Sequence, residues 1–166
     1  QNVQSLFFGS LMDQLPMGVI FSTQSGGLLF ANRFIMDLLK IGPKLPENSH
    51  AAAFYKDKSK RAEIMALLKI QGKIEGHHVD LMDSFGNVIP ARISIYPYEL
   101  NDQQILVSYL FDRSKEEYIE KELHNYTQNL EQMISNQTSE LKKHVEQLEI
   151  NEMEIQKKQK VETIYN

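Results

Sequence analysis

The sequence contains no cysteine. Disulfides, thiolate metal sites, cysteine nucleophiles and cysteine-adduct flavin photochemistry are excluded with it. The absence also fits a reducing cytoplasm, and a cytoplasmic protein is expected. Long hydrophobic runs are missing too. Nothing approaches the roughly 18 to 20 apolar residues that cross a bilayer, so no membrane segment is expected. Positive charge is not in excess: 18 Lys and Arg stand against 22 Asp and Glu, a formal net charge of -4. Nucleic-acid binding, which needs a basic surface, is therefore not expected. The chain begins with Gln1 and shows no signal-peptide pattern, which suggests a piece of something longer.

Chain breakers are missing from one part only. All eight glycines lie between Gly9 and Gly86, and all five prolines between Pro16 and Pro97. From Tyr98 to Asn166 there is neither. A turn-rich domain thus precedes a long uninterrupted element. The expected division is an N-terminal helix over 1–15, a compact domain over 16–114 and a helical tail over 115–166.

In the first part, Val3 to Leu15 reads as a helix with Leu6, Phe7, Leu11 and Leu15 as its apolar stripe, ended by Pro16. Met17 to Thr23 and Leu28 to Phe30 read as strands joined by Gln24-Ser25-Gly26-Gly27. Asn32 stands where a helix cap is wanted, before Phe34, Ile35, Leu38 and Leu39. Asp57 to Ile70 is a second helix, capped by Asp57 or Ser59 and ended at Gly72. Strands follow at Ile74 to Asp83, Val88 to Pro97 and Gln104 to Phe111, with Phe85-Gly86-Asn87 and Asn101-Asp102 as turns. The expected class is α+β: a five-stranded antiparallel sheet with helices on one face, followed by a long C-terminal coiled-coil helix.

Several stretches resemble the PAS domain, a sensor module common in bacterial signalling proteins. Met17-Gly18-Val19-Ile20-Phe21 and Leu29-Phe30-Ala31-Asn32 are similar to its first hairpin and following asparagine. The stretch from Leu67 through Gly72 to Gly76 is similar to its helix-to-strand join. Phe85-Gly86-Asn87-Val88-Ile89-Pro90 is similar to its glycine turn. Phe111-Asp112-Arg113-Ser114 resembles the Asp-x-Thr/Ser signature that closes the domain and launches an exit helix. The resemblance covers residues 5–114, and it rests on the order and spacing of motifs that are individually short. It implies a small pocket between sheet and helices, which in some members holds haem, flavin or a metabolite. It also implies a signalling role with the exit helix as output.

The tail is charged and carries an apolar repeat. Ile119, Leu123, Tyr126 and Leu130 form one set. Ile134, Leu141, Leu148 and Ile155 recur every seven residues, with Val145 at the complementary spacing. The phase slips between Leu130 and Ile134. So narrow a stripe calls for a partner helix, and a homodimer through the C-terminal helix is expected. The exposed Leu6, Phe7 and Phe8 suggest that the N-terminal helix contributes. Thr138, Glu152 and Gln159 interrupt the seam, which suits either a switchable helix or a loose spacer. Gln159 to Ile164 is similar to the lead-in to the phosphoacceptor helix of sensor histidine kinases. His144 is not followed by the acidic residue that family carries there, and reads as a polar coiled-coil position.

The candidate pocket lining is Phe21, Phe34, Leu38, Phe54, Ile64, Val79, Ile93, Val107 and Tyr109, most of which would also serve as plain core. A small-molecule ligand would sit there. The cofactor, if any, is not legible. Haem is disfavoured, because His50 does not reproduce the spacing of haem-binding relatives. His77 and His78 are strand neighbours pointing to opposite faces and cannot chelate one metal. Asp112, with Ser114 and Arg92, is the candidate for signal coupling: Asp112 would cap the exit helix and anchor it through Arg92. No catalytic constellation is present. The expected function is a non-catalytic sensory and dimerisation module of a bacterial signal-transduction protein, a histidine kinase in the first instance. The same module could drive a cyclic-dinucleotide enzyme or a serine phosphatase. The alternative from another class is a ligand-free coiled-coil adaptor.

Overall fold

The computed structural model describes residues 3–166. Gln1 and Asn2, placed by the sequence within the N-terminal helix, lie outside the described residues. The elements run α1 (Val3–Asp13), β1 (Gly18–Thr23), β2 (Leu28–Ala31), α2 (Arg33–Leu38), a 3₁₀ helix (Ala51–Phe54), α3 (Lys58–Gln71), β3 (Ile74–Met82), β4 (Val88–Leu100), β5 (Gln103–Asp112) and α4 (Ser114–Tyr165). Two units result: residues 3–117, and the helical stretch from Tyr118 onward.

The sheet is antiparallel throughout in the order β2-β1-β5-β4-β3. The long-range pairing of β1 with β5 closes the sheet and brings the first hairpin beside the final strand. β4 runs on through Pro97 to Leu100, three residues past its expected end. Proline is tolerated there because β3 pairs only as far as Ile95, so β4 has a single neighbour beyond that point. Pro90 sits at the other end, past the last β5 pair, Ala91 with Asp112.

One sheet face carries Ile20, Ala91, Ile93, Ile95, Leu106 and Leu110. Ile35 and Leu39 from α2, Tyr55, and Ile64 and Leu68 from α3 close over it as the core. Burying an aliphatic side chain of this size is worth about 1.5–3 kcal/mol. Asp57 caps α3, its carboxylate accepting from the Ser59 amide at 2.9 Å and the Ser59 hydroxyl at 2.7 Å. Gly72 ends α3 in the left-handed conformation, φ 77, which a side chain would resist. The sequence does not announce the 3₁₀ helix, because its single turn is too short to show a period.

α2, the 3₁₀ helix and α3 share the core face. α1 adds a partial cover to the other face, where Phe8 meets Phe21 and Phe30 at ring distances of 6.3 and 6.0 Å. Asn32 joins these parts. It is fully buried. Its Nδ2 donates to the carbonyls of Met12 (2.9 Å) and Met17 (3.0 Å). Its Oδ1 accepts from the amides of Val19 (3.0 Å) and Ile35 (3.3 Å). One side chain thus ties the end of α1, the start of β1 and the first turn of α2.

α4 is a single helix of 52 residues, about 78 Å long at 1.5 Å per residue. Leu123, Leu130, Ile134, Leu141, Leu148 and Ile155 are all exposed on it. The hydroxyls of Thr127, Thr138 and Thr163 donate back to the carbonyls of Leu123, Ile134 and Gln159, which hides their polarity within the helix. Among the described residues no helix is long and apolar enough to cross a membrane.

Candidate functional site

A cavity of about 50 Å³ lies between the sheet and the covering helices. Its sheet wall is built from Ile20 and Ser22 of β1, Leu106, Ser108 and Leu110 of β5, Ile93 and Ile95 of β4, and Leu81 of β3. Its roof comes from Ile35, Leu39, Phe54, Tyr55, Arg61, Ile64 and Met65. The strands alternate, so every second residue faces it. Ser22 and Ser108 are buried polar residues on otherwise apolar rows. Burial in this wall pushes the Tyr55 phenol above its ordinary pKa, and the nearby Arg61 charge opposes that rise.

Phe54, Ile64 and Ile93 line the cavity. The other six candidates do not. Phe21, Val107 and Tyr109 face the opposite side of the sheet, in a broad apolar groove beside Phe8, Met12 and Leu15. β1 and β5 carry no parity signal, because both of their faces are apolar. Phe34 and Leu38 each stand one residue off the facing position. Ile35 and Leu39 take the cavity wall, and Leu38 packs at the margin of the core. A six-residue helix is too short for its stripe to be phased from sequence alone. Val79 is buried in the core opposite Ala91 but borders a surface groove with His78 and Arg113 instead of the cavity. Sequence reasoning missed Ser22, Ser108, Tyr55 and Arg61. Ser108 carried a legible signal: a serine between leucines two residues away on either side, as in Leu106-x-Ser108-x-Leu110, leaves room in a row that should be filled.

Asp112 accepts a hydrogen bond from the Ser114 amide at 2.8 Å, satisfying the first amide of α4. It does not anchor that helix through Arg92. Register pairs Asp112 with Ala91 and Phe111 with Arg92, so Asp112 and Arg92 occupy opposite faces. Arg92 instead lies over the Phe111 ring, 5.3 Å from its centroid. The anchoring role falls to Arg113, which the sequence did not single out. Its amide donates to the Pro90 carbonyl at 2.8 Å. Its guanidinium, whose side chain is 13% exposed, reaches Glu116 at 3.2 Å and Glu117 at 3.8 Å in the first turn of α4. It also approaches His78 Nδ1 at 3.4 Å. Arginine only donates, so His78 accepts through Nδ1 in this arrangement. His77 shares the other face with Ile93.

His50 caps the 3₁₀ helix. Its Nδ1 accepts from the Ala52 amide at 3.2 Å, which leaves Nε2 as the donor to the Ser25 carbonyl at 2.7 Å. Both ring nitrogens are thus engaged by backbone, leaving neither to ligate a haem iron in this arrangement. Among the described residues no group of three or more His, Asp or Glu is placed to hold a metal ion.

The sheet order, the covering helices, the internal cavity and the helix launched from β5 together define an α+β fold, and comparison with solved structures gives that fold its name. A PAS domain from Desulfitobacterium hafniense is similar with a TM-score of 0.55 and 19% identity, over 62% of this chain and 98% of that one. A PAS domain from a two-component sensor histidine kinase gives a TM-score of 0.58 at 9% identity, over 66% and 96%. The PAS domain of nitrogen regulation protein NR(II) from Vibrio parahaemolyticus gives 0.53 at 10%, over 68% and 99%. No family model and no curated protein matches the sequence. The chain has the PAS fold.

Proposed function

We propose that this chain is a non-catalytic sensory and dimerisation module of a bacterial signal-transduction protein, with a histidine kinase as the output. A ligand in the cavity shifts the packing of β5, and α4 carries the shift to an output domain. One observation carries this reading. β5 lines the cavity with Leu106, Ser108 and Leu110, and two residues later Asp112 caps α4. The same strand therefore touches any occupant and launches the helix. Arg113 holds the first turn of α4 to Pro90 of β4 and His78 of β3, so a movement of the sheet there is felt by the helix. Such a ligand acts only through a difference in affinity between two packings.

Dimerisation through α4 rests on its exposed apolar residues. Leu141 and Leu148 are 64% and 67% exposed, and a second copy of the same stripe would cover them. α1 extends the contact, since Val3, Leu6, Phe7 and Leu11 are exposed on a stretch with no charge before Asp13. The cysteine-free sequence allows a clean test. Under mild oxidation Leu141→Cys is expected to form a disulfide dimer, and Lys143→Cys, off the seam, is expected to form little. A monomer by native mass spectrometry together with equal cross-linking at both positions overturns the dimer.

A further inference from the structure

α4 carries its apolar repeat as Ile134, Leu141, Leu148 and Ile155, with Val145 at the complementary spacing, and all five are exposed. In a parallel, in-register pair of such helices each seam residue meets its own counterpart. The Leu141→Cys disulfide depends on that arrangement. Residues flanking the seam then face each other across it. The residue just before each complementary position lies opposite the one just after the partner's next heptad residue. That rule pairs Gln137 with Lys142, His144 with Glu149, Asn151 with Gln156 and Lys158 with Thr163. Of these, only His144 with Glu149 can carry opposite charges, and only when the imidazole is protonated. Imidazole is the side chain whose charge ordinarily changes between pH 5 and 8.

His144 and Glu149 are exposed, and no ion pair or hydrogen bond among the described residues engages either. The other charges beside His144 stand on its own helix: Glu140, Lys142, Lys143 and Glu146. They act on the imidazole in the single helix and in the pair alike, so they cancel from the difference between the two. Across the seam the nearest charge is the partner's Glu149, with the partner's Glu152 one turn beyond it. Glu152 itself takes a position that wants an apolar residue, and no Lys or Arg lies within four residues of it. Pairing therefore brings two carboxylates together, which weakens the seam enough for a modest electrostatic change to matter.

We propose that α4 pairs parallel and in register with a second copy, and that protonation of His144 against Glu149 of the partner subunit tightens this pairing. The helix contact is then pH-responsive. The inference rests on the dimer reading and names how that contact is regulated. By two-fold symmetry the bridge forms twice. A proton that gains a partner only in the dimer favours the dimer, so association strengthens as pH falls.

The test is sedimentation equilibrium of the intact chain at pH 8 and pH 6, in about 50 mM salt so that screening is slight. An exposed ion pair is worth about two- to threefold, so the two bridges should lower the dimer dissociation constant about threefold to tenfold at pH 6. His144→Gln and Glu149→Gln should each remove most of this dependence, and the double variant should add nothing further. His144→Lys should make the dimer at pH 8 about as tight as the wild-type dimer at pH 6. Both positions are exposed, and unchanged melting of the domain shows that the variants fold. A wild-type dissociation constant that is the same at both pH values overturns the proposal, and so does a His144→Gln chain that keeps the wild-type dependence. If Leu141→Cys still cross-links in either case, the dimer stands and only its proton response fails. A chain that is monomeric at both pH values overturns the dimer itself.

Discussion

Removing the Asn32 side chain should be among the most damaging single changes in the domain. Its amide satisfies two buried donors, the amides of Val19 and Ile35, and two half-buried acceptors, the carbonyls of Met12 and Met17. In Asn32→Ala the two acceptors can turn to water, but the two donors cannot. Each stranded buried donor costs about 1–3 kcal/mol. The sum, about 2–6 kcal/mol, is comparable to the whole stability of many small domains. Asn32→Asp separates the two halves of the network. One carboxylate oxygen keeps the Val19 and Ile35 amides, while the other faces two carbonyl oxygens where an NH₂ once donated. Only the protonated acid can donate there, so the folded state raises that carboxyl above its unfolded value of about 3.9. A group with a raised folded pKa stabilises below its unfolded pKa and loses that contribution as pH rises through the folded one. Urea unfolding followed by near-ultraviolet tyrosine dichroism reads the packing around buried Tyr55, without the far-ultraviolet signal of α4. The Asn32→Asp chain should lose stability from pH 4 to pH 7 relative to wild type, while the Asn32→Ala deficit stays flat. A loss below about 1 kcal/mol for Asn32→Ala, or a pH-independent Asn32→Asp, would refute the reasoning.

Three further outcomes follow from the same geometry. Gly18→Ala would place a Cβ 2.2 Å from Ile35 Cδ1 and 3.1 Å from Leu110 Cβ; overpacking against this buried residue should cost about 1–3 kcal/mol by thermal unfolding. Asp83 accepts from the Phe85 and Asn87 amides and the Asn87 side chain, each at 2.9 Å. The Asn87 side-chain bond chiefly holds its carboxyl below the usual range, and burial opposes it. Its contribution is therefore present above the unfolded pKa and lost as pH falls through the folded one; Asp83→Asn should lower the melting temperature at pH 7 and shrink the drop between pH 5 and pH 3, as differential scanning calorimetry would read. Asp112→Ala leaves the Ser114 amide without its side-chain acceptor and should cost about 0.5–2 kcal/mol of helix start; hydrogen exchange should quicken at residues 114–117 and stay unchanged beyond Leu130, and Arg113→Ala should do the same.

The fold was largely legible because its punctuation is strong. Asn32, Asp57, Gly72, Gly86 and the Asn101-Asp102 turn each demand a local conformation for a stated steric or hydrogen-bonding reason, and each stands at an element boundary. The cavity wall was less legible. Period-two reasoning needs one polar face, and β5 reads Ile105, Leu106, Val107, Ser108, Tyr109, Leu110, Phe111, apolar on both. α1 and the aromatic groove account for the second apolar face. Arg61 was illegible for a different reason. It belongs to a helix whose other cations are solvated, and only the approach of Gly26 and His50 from remote chain positions marks it out. The anchor at Arg113 was hidden in the same way, since Pro90 and His78 reach it through sheet register.

The two apolar faces of β5 also bear on fidelity. A one-residue slip of β5 against β4 would exchange Leu106, Ser108 and Leu110 for Ile105, Val107 and Tyr109, and hydrophobicity alone would barely oppose it. The restraint lies in the Asn101-Asp102 turn. Both residues are left-handed, with φ 49 and 59, and the turn closes directly on the Leu100–Gln103 pair. It works as a register stop: two residues at the far end of the hairpin decide whether the cavity sees Ser108. They also set the phase of the exit helix, because a slip of one residue would begin α4 about 100° out of rotation.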